Sequence, residues 1–168
     1  MRFHSNHQQS LRLRTMNEIN YWLMKSEPDA YSIDSLKSDG TTLWDGIRNY
    51  QARNFMRNMA LRDKVFFYHS NCKPPGIVGL MEVIDLNIVD PTQFDKKSKY
   101  YDPKSNPDNP KWDCVKVKYL FKSKAILSLP ELKILFNEEE LLIVKRGNRL
   151  SIIPVGIETA KLILEKIK

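Results

Sequence analysis

Runs of apolar and β-branched residues, each about as long as one strand, predict that this chain folds around a sheet. Residues 19–24 are apolar and aromatic, and the run ends shortly before Pro28, as a buried strand does. Residues 64–70 and 76–89 meet at a proline-rich turn and predict an antiparallel pair of strands. In residues 113–121, valines alternate with lysines at the period of a half-buried strand.

Apolar residues three and four positions apart predict short helices beside this sheet. Residues 52–59 have this spacing, and Asn49 stands where its side chain can cap the helix. Helices are also predicted over residues 33–37, 128–136, 137–143 and 157–168, with a brief strand over 150–154. Strands and helices do not alternate regularly, so the pattern predicts an α/β fold of the α+β kind. Its sheet is expected to be a mixed or antiparallel pseudo-barrel flanked by short helices.

A long loop is predicted between two of these strands. Residues 90–112 carry four prolines and little apolar periodicity. Loops of this length that have no secondary structure of their own are commonly functional. We therefore expect this loop to contribute to a binding site.

Length and composition favour one globular domain over residues 18–168. A chain of 168 residues is long enough for one compact core and too short for two well-built ones. Residues 1–17 contain three arginines and no acidic residue, and they predict a disordered N-terminal extension. That extension is either an organellar transit peptide or a stretch upstream of a true start at Met16.

An excess of basic residues favours a polyanionic partner. The chain has 27 lysines and arginines against 20 aspartates and glutamates, a net charge of +7. No apolar run approaches the ~20 residues that a membrane-spanning helix needs, so no membrane partner is expected. Two cysteines are too few for a disulfide framework, which favours the cytoplasm, or the nucleus of a eukaryotic cell.

The common signatures of cofactor, metal and hydrolase sites are missing from the sequence. It has no glycine-rich dinucleotide or phosphate loop and no His-Glu-x-x-His or EF-hand pattern. His69 is the single histidine of residues 18–168, so a histidine-rich metal site cannot form. Its neighbour Ser70 would point to the opposite face of a strand, so the two do not form a catalytic pair. We expect no cofactor, no metal and no catalytic residue.

Basic and aromatic residues are concentrated around the predicted helix start at residues 44–54. This segment has an indole, a carboxylate, two guanidiniums and three carboxamides. No acidic residue occurs between Asp45 and Asp63, and similar acid-free basic stretches run over 114–130 and 141–157. Helix N-termini with arginines attract phosphate, and basic stretches with aromatic rings suit nucleic-acid backbones and stacked bases. The alternative is structural: Asp45 pairs with an arginine, and the tryptophan is an ordinary core residue.

Six short motifs, in order along residues 20–168, resemble the EVE domain family. They are YWLMKSEP at 21–28, the segment 44–57, FFYHS at 66–70, YYDPK at 100–104, PKW at 110–112 and GNRLS at 147–151. The resemblance implies a small PUA-like pseudo-barrel related to the YTH domains, which read a methylated adenine. It also implies a pocket for a modified base, either methylated or oxidised cytosine in DNA or a modified base in RNA.

The same resemblance implies roles for residues in these motifs. Trp44 is expected to form the first aromatic wall of the pocket, and Trp112 on the long loop a second wall or lid. Stacking returns ~1–3 kcal/mol per base, against a cost of a few kcal/mol for extruding that base from its stack. The residues expected to contact the base or line the pocket are Lys25, Ser26, Glu27, Asn49, Tyr50, His69 and Ser70. Those expected to hold phosphate are Arg48, Arg53, Arg57 and Arg149.

Three functions stay open from the sequence. The first is a non-catalytic module that recognises a modified base in DNA or RNA. The second is an enzyme that acts on a nucleotide or RNA, for which the acid–base and nucleophilic candidates are Lys25, Glu27, His69 and Ser70. The third is an adaptor domain that binds another protein.

Overall fold

The computed structural model describes residues 18–168, and within them six strands form one mixed sheet in the order β2-β5-β4-β3-β1-β6. The strands are β1 Tyr21–Ser26, β2 Thr41–Leu43, β3 Lys64–His69, β4 Gly76–Val89, β5 Asp113–Ser128 and β6 Ile152–Val155. The helices are α1 Ile33–Asp39, α2 Tyr50–Arg57, α3 Leu129–Leu135 and α4 Ile157–Ile167, with 3₁₀ turns at Pro91–Phe94 and Leu142–Val144. β1 pairs with β3 in parallel, and the other neighbours are antiparallel. The predicted mixed α/β fold is confirmed, whereas the predicted extension over 1–17 lies outside the described residues.

Alternating side chains on the central strands are buried on both faces of the sheet. On β1, Trp22 and Met24 belong to one core, and Leu23 between them belongs to the other. Helices α1 and α2 pack on the first core, and α3 and α4 pack on the second. The sheet is therefore a middle layer, and its polar residues concentrate at its ends and in its loops.

Local signals predicted most of these elements, and the differences arise from longer-range pairing. β5 continues to residue 128 rather than 121, because Ser128 pairs with Gly76 at the far end of β4. The three-residue strand β2 has no periodicity to reveal it and exists through its pairing with β5. The helix predicted over 137–143 is wrong. The side chain of Asn137 accepts hydrogen bonds from the N–H groups of residues 139 and 140, so residues 138–140 form a capped turn, and the 3₁₀ turn Leu142–Val144 follows it.

The parallel pairing of β1 with β3 brings the carboxyl ends of two strands to one edge of the sheet. Ser26 lies opposite His69, and the N–H of Ser70 donates to the carbonyl oxygen of Ser26 at 3.0 Å. The loop after β2 reaches the same region, where the N–H of Trp44 donates to Val115 on β5 at 2.9 Å. Residues that are distant in the sequence thus meet at one site.

Candidate functional site

The carboxyl ends of β1 and β3, the loop after β2 and the long loop 90–112 border a cavity of about 730 Å³, which we call the cleft. Small-molecule sites typically enclose about 300–1,000 Å³, so the cleft is large enough for a nucleobase. The predicted site residues that line it are Lys25, Ser26, Glu27, Trp44, Arg48, Asn49 and Ser70.

Trp44 forms an aromatic wall of the cleft. Its side chain is only 7% exposed, and its ring packs edge-on against Phe67 at a centroid distance of 5.4 Å. The other two tryptophans, Trp22 and Trp112, each donate through Nε1 to an aspartate, at 2.9 and 2.7 Å. Within residues 18–168, the indole N–H of Trp44 has no such acceptor. Trp44 is both a core residue, as the structural alternative held, and a lining residue with a hydrogen-bond donor to offer.

Polar groups from the end of β1 also line the cleft. The Lys25 ammonium is half-buried, and this burial lowers its pKa. In the described part of the chain, no carboxylate lies within ion-pair distance of it. The hydroxyl of Ser26 donates to the carbonyl oxygen of Tyr31 at 2.6 Å, which leaves its oxygen as an acceptor. The cleft therefore offers a cation and a hydroxyl oxygen beside an aromatic ring.

Arg48 connects the loop after β2 to the long loop through a group of contacts that we call the clamp, formed by Arg48, Asp90, Thr92 and Tyr100. Arg48 Nη1 lies 2.9 Å from Asp90 Oδ2, and its Nε and Nη2 donate to the carbonyl oxygen of Tyr100 at 2.9 and 2.8 Å. Its Nη2 also donates to the Thr92 hydroxyl at 3.0 Å. Gly46 has φ +79°, and a Cβ there would lie 2.7 Å from the Tyr100 ring, so the chain requires glycine at this position. The guanidinium expected to hold phosphate is thus engaged inside the protein.

Two neighbouring carboxylates, Asp45 on the loop after β2 and Asp90 at the start of the long loop, have opposite pKa shifts. Burial raises the pKa of Asp45, and the neighbouring charge of Asp90 raises it further. Burial also acts to raise the pKa of Asp90, but hydrogen bonds from Thr92, Gly46 and Arg48 outweigh it and hold the pKa below its ordinary value. The sequence alternative that Asp45 pairs with an arginine is wrong for the described residues, because the carboxylate that Arg48 contacts is that of Asp90.

Trp112 and Tyr50 lie outside the cleft and stack on each other. Their ring centroids are 4.8 Å apart with an interplanar angle of 19°, and Trp112 is 4% exposed. The Arg53 guanidinium lies 4.7 Å from the centroid of the Tyr50 ring and donates to the carbonyl oxygen of Lys111 at 2.8 Å. Trp112 Nε1 donates to Asp102, and this bond is the main cause of a lowered Asp102 pKa. This stack braces the long loop against α2, and the structure does not bring Trp112 to the cavity face of Trp44.

The other predicted residues also fall outside the lining of the cleft. His69 Nε2 accepts a hydrogen bond from the N–H of Ile33 at the start of α1, at 3.1 Å, and burial lowers the histidine pKa. Arg57 forms an ion pair with Asp113, in which Nε donates to both carboxylate oxygens at 2.9 Å. Arg149 is exposed beyond the tight turn at Gly147. Their roles in binding stay predictions.

Several lining residues were not among the predicted site residues. Asp45, Gly46, Lys99, Tyr100 and Ser151 all line the cleft. Tyr100 and Ser151 belong to motifs of the family resemblance, and Asp45 and Gly46 follow Trp44 directly, so adjacency to the motifs was the available signal. Lys99 directly precedes the motif at 100–104 on the long loop, so the same signal applied to it.

Residues 18–168 contain no group of three or more histidine, cysteine, aspartate or glutamate side chains that could hold a metal ion. No helix in that range combines the length and apolar character needed to cross a membrane.

The fold and the cleft define a small mixed α/β domain with a polar, aromatic-walled cavity at one edge of its sheet. Residues 20–166 match the EVE domain, and this chain belongs to the EVE domain family. It is 52% identical to thymocyte nuclear protein 1 of Rattus norvegicus over 128 residues, which are 70% of this chain and 57% of that protein. The chain therefore spans a little over half the length of this relative.

Solved structures agree with this assignment. A crystal structure of a protein from Pseudomonas syringae is 44% identical and has a TM-score of 0.83, covering 86% of this chain and 97% of its own. The human THYN1 protein, crystallised in complex with DNA that contains 5-methylcytosine, is 42% identical with a TM-score of 0.81. That match covers 87% of this chain and 96% of the human one.

Proposed function

We propose that this domain is a non-catalytic reader that binds a modified base of DNA, 5-methylcytosine in the first instance, in the cleft beside Trp44. The observation that carries the proposal is the Trp44 indole, which lines a base-sized cavity and has no hydrogen-bond acceptor within residues 18–168. The human relative that was crystallised with 5-methylcytosine DNA supports this ligand class. A modified base in RNA remains a separate arm of the test.

The chemistry of the cleft suits a flipped cytosine. Asp45 offers a carboxylate that can accept from an exocyclic amine, the pairing that carboxylates make with cytosine N4. Lys25 and the Trp44 N–H are donors for the carbonyl oxygen or ring nitrogen of the base. Stacking on Trp44 would contribute ~1–3 kcal/mol toward the few kcal/mol that extrusion of the base costs.

The position of His69 argues against an enzymatic function. His69 is the natural general base in residues 18–168, yet its Nε2 accepts the N–H of Ile33, and it is not a lining residue. A protein-binding adaptor would need no cavity with unpaired polar groups. Turnover of the modified nucleoside would favour the enzyme, and retention of a protein partner after nuclease treatment would favour the adaptor.

The direct test compares the affinities of duplex and single-stranded DNA with and without one 5-methylcytosine, and of RNA with the same base. We expect methylated DNA to bind more tightly than unmethylated DNA. Trp44→Leu should weaken this binding by roughly 10- to 100-fold through lost stacking. Tyr50→Leu is the matched control, because Tyr50 is 54% exposed and lies outside the cleft. Equal affinities of the two variants would contradict the proposal, and Trp44→Phe tests whether the fold tolerates change there.

We also propose that residues 18–168 act as one domain and that, in a cell with a nucleus, the protein works there, as the name of its relatives suggests. A fragment of residues 18–168 should bind methylated DNA as tightly as the full chain. Imaging of a fluorescent fusion tests the compartment, and exclusion from the nucleus of a eukaryotic cell would overturn that part.

A further inference from the structure

A second groove of about 360 Å³ adjoins the cleft, because Lys25 and Ser70 line both. Its other walls come from α3 and from the turn that follows the 3₁₀ segment Leu142–Val144. Six residues of this groove, 143–148, belong to one of the acid-free basic stretches of the sequence, residues 141–157, and none of the six lines the cleft.

The groove is lined by cations and by no carboxylate. Four basic residues contribute to it: Lys25, Lys133, Lys145 and Arg146. Among residues 18–168, no aspartate or glutamate lies within ion-pair distance of any of the four. By contrast, Arg48, Arg57, Lys64 and Lys122 on other parts of the surface each have a carboxylate partner. An unpaired group of cations on one concave surface favours an anionic ligand.

One residue that lines the groove, Asn148, has a polar side-chain atom that lacks a partner. Asn148 Nδ2 is buried without a hydrogen-bond acceptor in the described part of the chain. Its Oδ1 accepts from the N–H of Leu150 at 3.2 Å, which determines the orientation of the amide. Buried donors in native proteins are nearly always paired, so an unpaired one is informative. An anionic oxygen in the groove would supply the missing acceptor after a small shift of this side chain.

We propose that this groove binds phosphates of the DNA strand whose modified base occupies the cleft. This inference rests on the proposed function. A base extruded into the cleft remains attached to its sugar, so the flanking phosphates leave the cleft across its rim, and Lys25 and Ser70 form the part of the rim that the groove shares. Phosphate contacts of this kind hold the register of the strand and carry no sequence information. The groove thus contributes affinity, and the cleft contributes recognition of the base.

The test measures the affinity for duplex DNA with one 5-methylcytosine between about 50 and 200 mM salt, beside the affinity for the nucleoside 5-methyl-2′-deoxycytidine. The variant is Lys145→Gln with Arg146→Gln, both exposed in the free domain. We expect the slope of log affinity against log salt to fall by about 2, and DNA binding at low salt to weaken by roughly tenfold. Nucleoside binding should be unchanged, because the nucleoside has no phosphate.

Lys166→Gln with Lys168→Gln is the matched control, because it removes the same charge from exposed positions that line neither the groove nor the cleft. A second variant, Asn148→Asp, keeps the acceptor for Leu150 and replaces the unpaired donor with an anion, so it should weaken DNA binding and leave nucleoside binding intact.

Equal salt slopes for the groove variant and the control would overturn the groove and leave the base site standing. A groove variant that weakens nucleoside binding as much as DNA binding would also overturn the proposed role of the groove. If the wild-type protein binds neither methylated DNA nor the nucleoside, the proposed function itself is wrong, and so is the proposed role of the groove.

Discussion

Trp44 in the wall of the cleft and Arg48 of the clamp lie on the same short loop, and their polar groups are used in opposite ways. Trp44 lines the cleft and has an indole N–H with no acceptor within residues 18–168, and Lys25, which also lines the cleft, has no carboxylate partner in that range. Four positions later, Arg48 donates to two side chains and to the backbone of the long loop. The difference shows how a binding surface keeps unpaired polar groups: a fully bonded neighbour holds the loop in position.

The same contrast appears in the two carboxylates of this region. Asp45 lines the cleft with a raised pKa, whereas Asp90 is 1% exposed and has a lowered pKa because its hydrogen bonds outweigh its burial. The Asp45 carboxylate is therefore available to a ligand, whereas the Asp90 carboxylate stabilises the fold through its hydrogen bonds. The following predictions test this separation between binding and structure.

The largest expected effect on stability comes from breaking the clamp. Arg48→Gln leaves the buried Asp90 carboxylate without its cation, so the free energy of unfolding should fall by about 3 kcal/mol, as for other broken buried pairs. Urea denaturation measures it. Arg57→Gln is the matched control, because its pair with Asp113 is at the surface and should contribute less than about 1 kcal/mol. Similar losses in the two variants would show that the clamp is not a structural centre.

A pair of tryptophan substitutions should separate the cleft from the stack. Trp112→Phe removes the hydrogen bond to Asp102 and should lower the free energy of unfolding by about 1–2 kcal/mol, with nucleoside binding unchanged. Trp44→Phe removes no protein hydrogen bond within residues 18–168 and should mainly weaken the binding of 5-methyl-2′-deoxycytidine. The two measurements are urea denaturation and calorimetric titration. Weaker nucleoside binding by Trp112→Phe would support the original prediction that Trp112 is part of the base pocket.

Acid should weaken the clamp only at low pH, because the lowered pKa of Asp90 keeps its carboxylate charged after carboxylates of ordinary pKa have become protonated. Asp90 has a lowered pKa in the folded state, so its contribution to stability is present above the unfolded pKa of about 3.9 and is lost as the pH falls through the folded value. We expect the free energy of unfolding to decline below about pH 4, and less steeply in Arg48→Gln. Asp45 has the opposite shift, so a carboxyl NMR titration should find it protonating at higher pH than Asp90. The reverse order would contradict the contrast.

The smallest effect on stability is expected at Arg149, which is exposed and has no ion pair within residues 18–168. Arg149→Gln should change the free energy of unfolding by less than about 0.5 kcal/mol. As a predicted phosphate contact, it should still reduce the salt slope of DNA binding by about 1. An unchanged slope would remove Arg149 from the DNA interface, in which case its lack of a partner has no consequence for binding.

Local patterns in the sequence predicted the elements whose signals are local. The bounds of β4 follow its β-branched run, and Asn49 caps α2 through its side chain, which accepts from the N–H of Ala52 at 2.9 Å. The strand β2 was not predictable, since three residues show no period and their pairing partners lie some 75 positions away on β5. The helix predicted over 137–143 is wrong because the side chain of Asn137 accepts from the N–H groups of residues 139 and 140, which stabilises a turn at this point.

The candidate site was predictable in part, because some of its residues follow strands that the local pattern had indicated. Lys25, Ser26 and Ser70 follow strands, and the parallel pairing of β1 with β3 brings them together at one edge. The sequence could not show that Trp44 lines the cleft and Trp112 does not, because both tryptophans lie on predicted loops beside polar residues. Their positions depend on contacts across the fold, such as the stacking of Trp112 on Tyr50.

By itself, the sequence determined the α/β class, the approximate positions of five of the six strands, the family motifs and the basic segment beside Trp44, because these depend on residue periodicity and on neighbours in the chain. Tertiary structure alone decided which polar groups stay unpaired. Arg48 meets Asp90 across 42 positions, and Asn148 lacks an acceptor although its sequence resembles an ordinary turn. The physical reason is that a donor is satisfied or left open by partners that only the folded chain brings within hydrogen-bond distance.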